Sequence, residues 1–307
     1  MKFYYYDHQT KGKPYHDALI RHGWSMTRNE AEANMVLVDS EITRHEQFER
    51  FGKRGVPIFI YPHAARPDLL PDFEGSVASP YVTAHFVAAR GHVEIMEAYG
   101  YPNPMPVVGW HLCPIQRFKA RANVRRALFA PIHSSRNGAM SKIDREINVE
   151  TFKILYELVK MDVIDLTVRY LYNLQFTGLV ERDRVIYVKG NPDHSTMQID
   201  AAQVVVSHQT FAHLAVARGI PTVMMGESII PRYTQSNGRY MTAKSWDKYS
   251  HLLMFPLDIL NTDNPYELLQ EAGRSDAKIA DWRSRLIGSE QFDPDTFISH
   301  VMEYVKP

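Results

Sequence analysis

Residues 201–227, AAQVVVSHQTFAHLAVARGIPTVMMGE, constrain the fold of this chain more than any other stretch. Residues 203–206 are a short run rich in β-branched side chains, suited to a strand buried on both faces of a parallel sheet. Ser207, His208, Gln209 and Thr210 interrupt it with groups that hydrogen-bond to a helix start or to a ligand lying there. Phe211, Leu214 and Ala215 then fall at helical spacing, Gly219 stands where that helix should stop, and Pro221 opens a second apolar run. The pattern predicts a strand–helix–strand unit. In such units ligands gather at the carboxyl ends of the strands, where the helix offers unpaired N–H groups and the positive end of its dipole to an anion. A phosphate-sized site at His208, Gln209 and Thr210 is therefore expected. The plainer reading, in which these residues only cap a helix, stands beside it.

The rest of the chain alternates strands and helices in the same way. Residues 2–7 form an aromatic-rich strand that breaks into DHQTKGKP, a ligand-facing loop by its composition. A helix is expected from Pro14 to Arg21, then strands at 34–39 and 56–61, with a charged helix at 41–54 between them. Residues 83–99 read as helical, and PVVGW at 106–110 as a short strand. In the second half, strands are expected at 126–131, 164–170 and 185–189, with helices over 148–160 and 195–202. Further helices are expected from Pro265 onward, the last capped near Asp293. This alternation predicts an α/β chain with parallel sheets.

Composition removes several classes of function. Lys plus Arg and Asp plus Glu number 35 each, so no net field favours nucleic acid or an anionic membrane. The single cysteine, Cys113, forms no internal disulfide, which suits a reducing, cytoplasmic setting. MKFYYYDHQ carries no apolar leader, and no window reaches the roughly 18 apolar residues of a membrane span. Neither HExxH nor paired CxxC occurs, so no metal site is expected. The dinucleotide fingerprint GxGxxG is absent after the first strand, where Gly12 stands alone, which disfavours hydride transfer.

The layout of SHQTFAHLAVARGIP resembles the nucleotide-diphosphate-binding segment of GT-B-fold glycosyltransferases and their relatives, the nucleotide-sugar 2-epimerases and glycerophosphotransferases. It departs from their pattern in lacking the glycine pair in the turn and an acidic residue on the helix, where His213 and Leu214 stand. The resemblance implies two Rossmann-like domains facing across a cleft. An acceptor domain would span 1–112 and a linker 113–123. A donor domain would span 124–285, and a helix over 286–307 would return to the first domain. It also implies transfer of a sugar from a nucleotide-diphosphate-sugar of UDP type, without a metal for the leaving group. No other cofactor is implied.

Candidate residues follow from strand-end logic. On the donor side they are Ser134, Arg136 and Asn137 after the first strand, and Arg169 near the end of the second. Val188 and Lys189 stand at the end of the third, then His208, Gln209 and Thr210, with Glu227 offered to the ribose. A general base is expected from Asp7 or His8, with Gln9, Thr10, His63 and His85 on the acceptor side. Each of these has a plainer role as a core, surface or turn residue. Residues 228–249, dense in Arg, Lys and Tyr, suit a lid or acceptor loop, and nucleic acid is one acceptor they would suit. Two rivals stay open: an epimerase or glycerophosphotransferase of the same layout, and a nucleotide-binding module without turnover.

Overall fold

The computed structural model describes residues 1–6, 12–39, 45–62, 79–98, 101–133, 142–190, 195–226 and 254–305. In chain order the elements are β1 Lys2–Tyr6, α1 Lys13–Arg21, β2 Ser25–Thr27, β3 Met35–Asp39, α2 His45–Lys53, β4 Ile58–Tyr61, β5 Ala84–His85 and α3 Arg90–Ala98. There follow β6 Arg126–Ala130, α4 Lys142–Lys160, β7 Asp165–Tyr170, β8 Val185–Lys189, α5 Ser195–Ala201, β9 Val204–Ser207, α6 Gln209–Ala217 and β10 Thr222–Met224. α7 Pro265–Arg274, α8 Ala280–Leu286 and α9 Pro294–Tyr304 close the chain. The fold is α/β with two compact units. Described residues of the first fall within Met1–Pro114 and Ser284–Pro307, and those of the second within Ile115–Tyr233 and Leu253–Arg283.

The first unit holds a parallel sheet in the order β2-β1-β3-β4-β5. Its central strands, MVLVD and IFIY, are buried throughout. That is why they read as unbroken apolar runs rather than alternating ones. Leu37 and Phe59 pack on the side of α1 and α9, and Val36, Val38, Ile58 and Ile60 on the side of Phe48 and Phe51 from α2. α9 begins where the sequence expects it: Asp293 accepts from the backbone N–H groups of Asp295 and Thr296, and Pro294 occupies the first turn. Phe297, Ile298 and Val301 then anchor the helix in this core, and it lies along α1.

Several segments differ from the sequence reading: β2 has no counterpart in it, and α4 starts at Lys142 rather than Asn148. Residues 83–99 are not one helix, because Ala84 and His85 extend the sheet beside Phe59 and Ile60, and only Arg90–Ala98 is helical. Residues 106–110 do not form a strand of the sheet; they make isolated bridges, Val87 with Val107 and Trp110 with Gln291.

The second unit is a parallel sheet in the order β10-β9-β6-β7-β8. Leu128 and Val205 pack beneath Ile199 of α5 and Ala215 of α6 on one face. On the other face Phe129 stacks with Phe152 of α4, ring centroids 6.4 Å apart. Among the described residues no helix is long and apolar enough to cross a membrane.

Candidate functional site

The strand order of the second unit locates its crevice. β6 is the first strand of the unit in the chain, with β7 on one side and β9 on the other, so the direction of winding reverses between β6 and β9. Open α/β sheets bind ligands at such a reversal, beyond the carboxyl ends of the strands. Ala130 and Ser207 end these two strands in register, and the buried Ser207 hydroxyl donates to the Ala130 carbonyl at 2.8 Å. His208 continues in extended backbone as the N-cap of α6, and its side chain does not cap the helix. The helix ends at Gly219, whose φ of +69° and whose Cβ position, 2.0 Å from the Arg117 carbonyl oxygen, admit only glycine.

A cation is built in beside this helix start. Arg169, near the carboxyl end of β7, is buried, and its guanidinium lies over the Phe211 ring of α6 at 4.6 Å from the centroid. Its Nε donates to Gln198 of α5 at 2.6 Å. On another side the guanidinium meets Gly190, where a Cβ would come within 2.5 Å of Cζ. Burial pulls the Arg169 pKa down to about 10, which leaves it charged at neutral pH. Its orientation is thus set from three sides, close to the N-terminal turn of α6. A fixed guanidinium beside a helix N-terminus is chemically suited to a diphosphate.

The chain just after β6 is also held, at Ile132. Asn148 of α4 is fully buried; its Oδ1 accepts from the Ile132 N–H at 2.8 Å, and its Nδ2 donates to the carbonyls of Ile132 and Thr177 at 2.9 and 3.0 Å. The backbone two residues before Ser134 is therefore fixed to α4 and to the turn after β7. Asn148→Ala is expected to lower unfolding free energy by about 2–3 kcal/mol, since it strands buried backbone groups. Urea denaturation checks this, and a loss under about 0.5 kcal/mol would mean that solvent satisfies those groups.

Val188, half-buried, and Lys189, exposed, end β8 beside Arg169 and Tyr170. The backbone of Gln209 and Thr210 opens α6. His85 lies in the core of the first unit, 4% exposed, on β5. Asp7, His8, Gln9, Thr10, His63, Ser134, Arg136, Asn137 and Glu227 lie outside the described residues. The structure brings Arg169, Val188 and His208 to one sheet edge and places His85 in the other unit. Sequence reasoning missed Asn148, Gln198, Gly190 and Phe211 as supports. Only Phe211 left a trace, as an aromatic two residues into the helix.

No family model matches the sequence, and no curated protein matches it. Solved structures are similar in fold. The UDP co-structure of S. aureus MnaA aligns over 99% of this chain and 96% of its own, at 10% identity and a TM-score of 0.56. The wall teichoic acid polymerase TagF, as its H548A variant, aligns over 100% and 90%, at 12% identity and 0.57. The glycosyltransferase SnogD from Streptomyces nogalater aligns over 99% of both chains, at 12% identity and 0.52. The fold is the two-domain layout of the GT-B glycosyltransferases.

Proposed function

We propose that this chain is a glycosyltransferase that takes a sugar from a nucleotide-diphosphate-sugar of UDP type, with the donor held by the second unit. The observation that carries this is the buried Arg169 guanidinium set over Phe211, beside the start of α6 and next to the sheet's reversal point. The MnaA structure, similar in fold, is a complex with UDP, which supports the choice of nucleotide.

In the transfer the bond between the sugar's anomeric carbon and the diphosphate oxygen breaks, and an acceptor oxygen bonds to that carbon. The leaving diphosphate gains negative charge, which Arg169 and the α6 dipole stabilise without a proton being moved. Ser134, Arg136 and Asn137, which follow in sequence the Ile132 backbone bonded to Asn148, and the first turn of α6 complete the phosphate contacts. Val188 and Lys189 face the nucleobase and Glu227 the ribose. The acceptor's proton passes to Asp7 or His8, directly after β1 of the first unit. Gln9, Thr10, His63 and the segment 228–249 supply the acceptor side.

Titrating a panel of nucleoside diphosphates and nucleotide-sugars by calorimetry tests the reading. UDP is expected to bind and, at about a hundred times its dissociation constant, to stabilise the fold by about 2.7 kcal/mol. Turnover with an acceptor should release free UDP, and interconversion of nucleotide-sugars without UDP release would identify an epimerase instead. If no nucleoside diphosphate binds, the proposal is withdrawn.

A further inference from the structure

Three described residues other than glycine have left-handed backbone: Asp162, Tyr172 and Arg184. Asp is among the side chains that adopt this conformation readily, and Arg184 sits in the turn before β8, paired with Asp162 at 2.7 Å. Tyr172, with φ of +56°, is different. It is a bulky aromatic placed where glycine or asparagine would lie with less strain, and Asn173 is the next residue.

The turn itself has a packing reason. Leu171 and Leu174 are both buried, while Tyr172 at the bend between them is only half-buried. Asn173 fixes the backbone beyond the turn by accepting from the Gln175 N–H at 3.0 Å. Neither contact needs an aromatic at 172. The ring is half-buried, and its centroid is 6.3 Å from that of His133, just past β6. It stands three residues beyond Arg169, at the carboxyl edge of the sheet. There β7 and β8 run side by side, with Gly190 N–H donating to the Tyr170 carbonyl at 2.7 Å. A flat side chain is thus held under backbone strain at the ligand edge, three residues beyond the fixed cation and beside His133.

We propose that the donor's nucleobase stacks on Tyr172. This rests on the nucleotide-sugar reading above and adds to it the residue that holds the base. A ring with two torsions offers stacking surface at low entropic cost, and such contacts raise affinity roughly 10- to 100-fold per base.

The test titrates UDP and inorganic pyrophosphate, which lacks the base, into the wild type, Tyr172→Phe and Tyr172→Asn, with thermal midpoints for each. Tyr172→Asn should bind UDP roughly 10- to 100-fold more weakly, bind pyrophosphate as the wild type does, and melt no lower, because asparagine relieves the backbone. Tyr172→Phe should match the wild type with both ligands. Unchanged UDP affinity in Tyr172→Asn overturns the stacking role while leaving the donor site intact. An equal loss for UDP and pyrophosphate also overturns it, since Tyr172 would then shape the phosphate site. A wild type that binds no nucleoside diphosphate overturns both this and the function it rests on. If Tyr172→Asn does not fold, Tyr172→Leu carries the same comparison.

Discussion

Arg169→Ala is expected to weaken both UDP and pyrophosphate about 100-fold while the protein stays folded. A hydrogen bond to an ionised partner contributes about 1.5–3 kcal/mol, and a guanidinium offers two in parallel to a diphosphate. The site is pre-oriented, because Phe211, Gln198 and the bare backbone of Gly190 fix the guanidinium before any ligand arrives. Little ordering remains to be done on binding. Arg169→Lys should not restore affinity: an ammonium has neither the planar fork nor the Nε bond to Gln198. Gly190→Ala should weaken binding as well, since its Cβ would occupy the space of Cζ and force the guanidinium aside without altering any charge. Calorimetry on the three variants decides the matter. If Arg169→Ala binds pyrophosphate like the wild type, Arg169 only fills the core and the donor site lies elsewhere.

The same residues show how far the sequence could be read. Residues 203–226 were legible because each step has a local cause. A β-branched run makes a strand, and a polar break starts a helix. A glycine with φ of +69° ends that helix, and Pro221 leads into the last strand. Residues 83–99 were misread because the alanines at 84, 88 and 89 carry helix propensity. Pairing with β4, and the His85 and Val87 N–H bonds to the carbonyls of Pro104 and Pro106, impose an extended path first. β2, SMT, is a short edge strand without an apolar signature, and only its alignment with Lys2, Phe3 and Tyr4 makes it a strand. The site divides in the same way. Arg169 and His208 could be named because strand ends are visible in sequence. The Asn148 clamp joins residues 16 and 29 positions apart, and the void at Gly190 exists only when β8 lies beside β7. Such contacts depend on the assembled sheet, and no local pattern announces them.

His85 is expected to make the first unit acid-sensitive below the ordinary range of histidine titration. It is buried on β5 with its ring edge-on to Tyr101, centroids 5.6 Å apart, and its Nδ1 makes no hydrogen bond. Burial, aided by repulsion from His92 on α3, lowers its pKa from 6.5 to about 3. The folded state therefore holds the neutral ring while the unfolded chain takes up a proton near pH 6.5. Stability is full above that pH and falls as pH drops toward 3, at about 1.4 kcal/mol per unit, reaching about 5 kcal/mol in all. By pH 5 the loss is about 2 kcal/mol, a large fraction of the 5–15 kcal/mol typical of a folded domain. Other groups titrate over the same range, so the informative quantity is the difference between the wild type and His85→Leu, which keeps an apolar side chain and cannot take the proton. Urea unfolding at pH 7.5 and pH 5 should show the leucine variant gaining about 2 kcal/mol relative to the wild type as the solution is acidified. Parallel losses in the two proteins would mean that the buried ring accepts a proton within the fold. In that case water or a rearranged partner reaches Nδ1 as the pH falls.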